Sequence, residues 1–526
     1  MSTSERRDGG IQLTRRQLLA TGAAGGLTLA ALGPGSAIAF GATTPKRGGT
    51  LQVGLVGGSA ATEQLDPNTS TVNSLDLARH QNVFSKLADF DANGKVYPQL
   101  AESFEPNKQA TLWTVKLKQG VTWHDGSPLT ADDVVYSLQR ILDPANKLSS
   151  AYANLTMVDH TKITKVDATT LTIGLKQPWS DLPTQLGQRY LAIVKNGTKT
   201  FTATTVVGTG PFKLTGWTPG TQTTLTAYPG YFESGKPYLG TVVLNGIDDP
   251  TARLNALQSG QVQAIEFVDP SQIKVLQASS TAVPLISSGG GWTPIVMNTK
   301  VGPFRDVRVR QALKLLANRP QLIKVAEQGF ASVGNDLFSI HDPLYNSALS
   351  RRKYDPERAK ALLKQAGQSD LKVTLDSSQA TPDMLSSALL FAQSAKAGGV
   401  KVTVKKHPVD SFWSAVYGKS AFTHSSWGYR PFFPQWLQSY QAFNKEETNW
   451  TNAKANKLVQ QAVATVDAGK RTELAHEAQA IEWKEGGYII WGFQQRLDGL
   501  SKSVQGLKPS PINPLGWYGF KDAWLS

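Results

Sequence analysis

At 526 residues the chain exceeds one ordinary domain, and two or three lobes are expected. With 40% apolar and 18% charged residues it is neither a disordered nor a fibrous chain, and the absence of cysteine excludes disulfides, thiolate metal sites and cysteine nucleophiles. The net charge of +14 is dispersed, with no basic run longer than Arg351-Arg352-Lys353, so it reads as solvated surface first, attraction of an anionic ligand second, and not as a nucleic-acid footprint.

The chain opens on a targeting pattern. Thr14-Arg15-Arg16-Gln17-Leu18-Leu19 is a twin-arginine motif, followed by an apolar, Gly/Ala-rich run from Leu18 to Leu32 and the small residues Ala37-Ile38-Ala39. The run is short and diluted by Gly22, Gly25, Gly26 and Gly33, so a signal peptide over 1–39, cleaved after Ala39, is expected rather than a retained anchor. Loss of that segment, with four Arg against Glu5 and Asp8, leaves 50 basic and 38 acidic residues and a net of +12. No cysteine follows it to carry a lipid, so a free periplasmic protein is expected.

From Gly48 onward strand and helix signals alternate. Leu51–Leu55 reads as a strand and Ser74–Ala88 as a helix. Leu112–Leu117 alternates as a half-buried strand and leads through the His124-Asp125-Gly126 turn to Thr130, whose partner Asp133 makes a capping-box variant. The helix that follows carries the stripe Val134, Val135, Leu138, Ile141. Thr170–Leu175 and Thr241–Gly246 read as strands. Asp249-Pro250 caps a helix closed by Gly260, with a strand over Val262–Val268. Asp355-Pro356 starts a second such unit, closed by Gly367 and followed by strands at Leu371–Leu375 and Val400–Val404. Asn452–Trp483 is helical, as two helices, and ends at Gly486-Gly487 before a strand over Tyr488–Phe493. This alternation predicts α/β lobes.

The run VTWHDGSPLTADDVVYSLQR, Val121–Arg140, resembles the signature segment of extracellular solute-binding proteins of family 5, the peptide- and nickel-binding receptors of ABC importers. Six further segments resemble that family in the same order: RGGTLQVGL from Arg47, LDP from Leu65, YPQLAESFEPN from Tyr97, GTGPFKLTGWTPG from Gly208, YPGYFESGKPYLG from Tyr228 and VMNTKVGPFRDVRVRQALKLLANRPQLI from Val296. The resemblance implies a two-lobed periplasmic-binding-protein clamp of the class II type. Lobe 1 would span 40–290 with an extra subdomain inserted at about 90–205, lobe 2 would span 291–488, and 489–526 would return to lobe 1.

Such a clamp binds its ligand between the lobes, and the segment HSSWGYRPFFPQW, His424–Trp436, is the leading candidate for the pocket. In peptide-binding relatives the matching stretch has a Trp-Gly pair followed two residues later by an Asp that pairs with the peptide's amino terminus. Here Trp427 and Gly428 match, but Arg430 stands at the Asp position. A guanidinium repels an ammonium group and holds carboxylates or other oxygen-rich groups instead. On a strand, Trp427 and Tyr429 would share one face and His424, Ser426, Gly428 and Arg430 the other, and either face could line the cleft. Trp436 divides evenly between core and pocket, Trp292 and Trp491 sit near the two crossings, and Asp66 before Pro67 is either a ligand contact or a turn former.

His124-Asp125 lacks a companion nucleophile, and no Gly-x-Ser-x-Gly, His-Glu-x-x-His or phosphate-cradling loop occurs, so neither catalysis nor a cofactor or metal is expected. The expected function is the substrate-binding component of an ABC importer: a monomer that delivers a peptide or peptide-like solute to permease subunits in the inner membrane. The alternatives are a sensory solute receptor and an importer receptor for an opine, an oligosaccharide or an acidic solute.

Overall fold

Thr50–Leu55 is the central strand of an eight-stranded sheet, with Leu51, Val53 and Leu55 fully buried. The computed structural model describes residues 44–69, 73–441 and 445–526, so the signal segment expected over 1–39 lies outside the described residues. Thr241–Gly246 and Ala264–Ile265 flank the central strand in parallel. Gln222–Ala227 and Phe212–Thr218 extend one side antiparallel, and Gly492–Ser501 and Ala282–Gly291 extend the other. Ala331–Val333 also pairs with Gly492–Ser501.

A separate antiparallel sheet of four strands runs Ala101–Pro106, Leu112–Leu117, Thr170–Leu175, Val158–Lys165. Leu112–Leu117 alternates as the sequence predicts: Trp113, Val115 and Leu117 are buried while Leu112 faces water. The helix Ala131–Leu142 buries Val134, Leu138 and Ile141 in the same core, and the Thr130 N–H donates to Asp133 Oδ2 at 2.8 Å. The His124-Asp125-Gly126 turn is structural. His124 bonds the Gly210 carbonyl at 3.0 Å, and Asp125 accepts the Ser127 N–H at 3.0 Å.

A third sheet has five strands in the order Lys401–Lys406, Lys372–Ser377, Phe422–His424, Ile295–Met297, Tyr488–Ile489. Its neighbours in sequence are two adjoining strands of the eight-stranded sheet, Ala282–Gly291 and Gly492–Ser501. The chain passes from Ala282–Gly291 to Ile295–Met297 within three residues, and from Tyr488–Ile489 back to Gly492–Ser501 within two.

The capped helices form as read. Asp249 accepts the Ala252 N–H and Asp355 the Arg358 N–H, at the starts of Pro250–Gln258 and Pro356–Gln365. The long C-terminal helical region is two helices, Ala453–Ala464 and Ala468–Glu485, divided where Asp467 caps the second. Three predicted elements are shorter than the sequence suggests. The helix expected over Ser74–Ala88 ends at Val83, whose carbonyl accepts the Gly210 N–H at 2.9 Å, and Ala88–Phe90 is a strand. The strand expected over Val262–Val268 is only Ala264–Ile265, because Phe267 turns to φ +50°. The strand expected over Tyr488–Phe493 is interrupted at Ile490, whose N–H goes to Asp336 Oδ1 at 3.1 Å.

Candidate ligand-binding cleft

Phe422–His424 pairs antiparallel with Ile295–Met297, and the pairing would continue past His424 but for Pro294. Proline has no N–H to give to a ladder, so Pro294 only accepts, from the Ser425 N–H at 3.1 Å. The ladder resumes in the same register at Trp292 and Trp427, which exchange two backbone bonds of 2.9 and 3.0 Å. The strand expected to run on through Arg430 therefore stops at His424 and leaves Ser425–Arg430 as an extended strip. That strip is clipped to the crossing between the two large sheets.

The clip is reinforced by side chains. The Trp427 and Trp292 rings stack at 5.8 Å with 11° between their planes, and Trp292 stacks in turn on Phe338 at 6.1 Å. Tyr429 lies against Gly290, where a Cβ would come within 2.5 Å of its ring. His341, whose ring is 6.1 Å from Tyr429, bonds the Gly289 carbonyl at 3.1 Å. Glu447 holds the column from behind, accepting from Tyr488 Oη at 2.5 Å and from Trp427 Nε1 at 3.3 Å. Burial lifts the Glu447 carboxyl to about 7.

Arg430 caps this column, its guanidinium 5.2 Å above the Trp427 ring. Its backbone carbonyl accepts from Ser339 Oγ at 2.8 Å, but its side chain has no carboxylate or carbonyl partner among the described residues. Burial pulls its pKa below the usual guanidinium range, and the charge of Arg189 lowers it further. Arg189 stacks on Tyr190 at 4.7 Å and donates to Tyr190 Oη. Burial likewise lowers the pKa of Arg496, in the strand Gly492–Ser501. An open cavity of about 630 Å³ is lined by His341, Asp91, Asn93, Ser288, Lys508 and Pro511.

Of the remaining sequence candidates, only Ser426 belongs to this strip. His424 is completely buried, its Nε2 3.2 Å from Ser387 Oγ, and burial lowers its pKa to about 3. Ser426 is exposed. Trp436 is buried in the aromatic cluster with Phe338, Phe432, Tyr440 and Trp450, and Trp491 is buried in the core of the five-stranded sheet. Asp66 forms an ion pair with Arg140 and accepts the Asn68 N–H at 3.0 Å, which is its turn-forming role. Sequence reasoning missed His341 and Glu447: neither belongs to a motif, and only tertiary contact brings them to the strip. Among the described residues, no group of three or more His, Asp or Glu gathers where a metal ion could sit.

A family model described as bacterial extracellular solute-binding proteins, family 5 Middle, matches residues 95–449. The glutathione-binding protein GsiB of Escherichia coli strain K12 is 28% identical over 486 residues, covering 88% of this chain and 92% of that protein. HbpA2 from Haemophilus parasuis superposes with a TM-score of 0.79 at 23% identity, covering 91% of this chain and all of that one. The periplasmic binding protein DppA from Helicobacter pylori, in complex with the peptide STSA, gives 0.72 at 21% identity, covering 91% and 98%. The fold is the two-lobed α/β architecture of periplasmic binding proteins.

Proposed function

The chain belongs to the bacterial extracellular solute-binding proteins, family 5, and from that premise we propose that it is the substrate-binding component of an ABC importer for a small acidic, peptide-like solute. The observation that carries this reading is Arg430: a guanidinium held on the Trp427 face, beside the crossing between the sheets, without a carboxylate of its own. A cation so placed favours a solute carboxylate in a bidentate pair and disfavours a free ammonium group at that point. The relative named for glutathione supports the size and chemistry of the solute, because glutathione is a tripeptide with two carboxylates.

In this reading Trp427, Tyr429 and Arg430 present the ligand-binding strip, with Trp292 behind it at the crossing. The first lobe comprises 40–290 and 489–526, with the subdomain at about 90–205 inserted, and the second comprises 291–488. The separate four-stranded sheet and the two short crossings support that division. The mature protein is a periplasmic monomer exported by the twin-arginine route. It hands its solute to membrane permease subunits and performs no chemistry on it.

The test is calorimetric titration of the purified protein with glutathione, beside native mass spectrometry of the protein taken from its own host. Binding of glutathione or of an acidic peptide, weakened about tenfold or more by Arg430→Ala, is the expected result. Co-purification of ordinary free-amino peptides, with affinity indifferent to Arg430→Ala, would overturn the acidic-solute reading.

A further inference from the structure

The cavity of about 630 Å³ is walled by four separate stretches of chain. Asp91 and Asn93 belong to the turn between the strands Ala88–Phe90 and Val96–Pro98, and Ser288 to the outgoing strand Ala282–Gly291. His341 follows Ser339, and Lys508 and Pro511 lie beyond the returning strand Gly492–Ser501. Under the lobe division proposed above, His341 belongs to the second lobe and the other five to the first. A solute in this cavity would touch both lobes, and the volume is that of a small-ligand pocket.

Each wall is held by contacts within the protein. Asp91 Oδ1 accepts the N–H groups of Asn93 and Lys95 at 2.8 and 2.9 Å, and a Cβ on Gly94 would come within 3.3 Å of Pro511. The Ser510 N–H donates to Ser287 Oγ at 3.0 Å, which fixes the segment carrying Lys508 and Pro511 beside the strand carrying Ser288. His341 bonds the Gly289 carbonyl at 3.1 Å and lies 6.1 Å from the Tyr429 ring, so the cavity adjoins the strip that ends in Arg430.

The polar side chains on these walls are not used up by the fold. Asp91 Oδ2 and the side chains of Asn93, Ser288 and Lys508 have no hydrogen-bond or ion-pair partner among the described residues. Asp91 and Lys508 therefore line one cavity with opposite charges and do not neutralise each other.

We propose that this cavity is a second subsite of the cleft and takes a free amino-acid end of the solute. Asp91 receives its ammonium group and Lys508 its carboxylate, with the Ser288 hydroxyl as a further donor. The inference rests on the receptor reading above and deepens it by giving the solute a direction. Arg430 disfavours an ammonium group at the strip, and Asp91 supplies a place for one in the adjoining cavity. Glutathione has the matching ends: a γ-glutamyl residue with a free ammonium and carboxylate, and a glycine that ends in a carboxylate alone.

The experiment is calorimetric titration of the wild type, Asp91→Asn and Lys508→Gln at two salt concentrations. The probes are glutathione and N-acetylglutathione, which keeps both carboxylates and loses the ammonium group. Asp91→Asn retains an oxygen for the Asn93 and Lys95 N–H groups, and Lys508 is exposed, so neither substitution removes a contact of the fold. The wild type is expected to bind glutathione about fivefold more tightly than the acetylated peptide. Asp91→Asn should erase that preference, Lys508→Gln should weaken both peptides, and added salt should narrow every difference because the cavity is open. The comparison of the two peptides on the wild type needs no variant and stands if one misfolds. Equal binding of the two peptides, or glutathione binding that ignores both substitutions, overturns the subsite and leaves the receptor standing. A preference that survives Asp91→Asn is steric and overturns it as well. Silence of the wild type towards both peptides also counts against the subsite, while solute recovered on the protein from its own host would still uphold the receptor.

Discussion

Arg430 has its position set before any solute arrives. A guanidinium over an indole face gains about 0.5–1 kcal/mol when exposed and more when desolvated, and the Trp427 ring beneath it is fixed by Trp292 and by Glu447. Glu447 gives this support a pH dependence. Its carboxyl is raised from 4.5 to about 7 by burial, so between those values the folded protein binds a proton that the unfolded chain has released. Its contribution is therefore largest below pH 4.5 and declines as pH rises to about 7. Glu447→Gln keeps an acceptor for Tyr488 and Trp427 without the charge, and should flatten the fall in thermal stability across that interval; an unchanged slope would assign it to other buried carboxyls. At this scale the sequence was legible where a residue belongs to a recognisable stretch. Arg430 stands out because it replaces an acid in a Trp-Gly segment. Arg189 and Glu447 do not, since the one bonds its neighbour Tyr190 in a stretch that matches no motif and the other reaches Trp427 across 20 positions.

The glycines of the outgoing strand Ala282–Gly291 show how the crossing is built. A Cβ at Gly289 would lie 2.0 Å from the Gln494 carbonyl oxygen, whereas one at Gly290 would meet the Tyr429 ring at 2.5 Å. The first neighbour is backbone of the paired strand, the second a side chain of the strip Ser425–Arg430. Gly289→Ala should thus lower stability by about 2–3 kcal/mol, read from urea unfolding. Gly290→Ala should cost less stability but weaken solute binding several-fold by displacing Tyr429. Equal losses of stability with unchanged affinity would show that Tyr429 does not shape the site. Elements bounded by local chemistry were readable in advance: Thr130, Asp249 and Asp355 announce their helices because a cap bonds within three residues of itself. Ends set by distant partners were not. The helix Ser74–Val83 stops where Gly210 takes a carbonyl, and the strip leaves its ladder where Pro294, in the distant crossing, has no N–H to offer.

At the scale of the whole molecule, the order of family-like segments made the two-lobed fold legible. The contacts that join its distant segments were not, because they link residues hundreds of positions apart. Trp179, just beyond the four-stranded sheet, meets the Phe433 ring edge-on at 6.2 Å, and the neighbouring Ser180 N–H donates to the Val463 carbonyl at 2.6 Å. Arg471 adds a bond to Ser180 Oγ at 3.3 Å. These contacts tie the segment following that sheet to the helices that follow the strip Ser425–Arg430, while the backbone passes between the two large sheets through only a few residues at each crossing. Apparent affinity is the intrinsic affinity scaled by the fraction of molecules in the binding-competent arrangement, so a contact that favours this arrangement strengthens binding without touching the solute. Trp179→Ala should therefore raise the radius of gyration of the solute-free protein in small-angle scattering and weaken solute binding several-fold. Saturating solute should restore the wild-type radius, because the solute's differential affinity replaces the lost contact. A solute-free radius and an affinity both equal to wild type would mean that the Trp179–Phe433 contact does not bias closure, and that closure is set by the crossings and the solute alone.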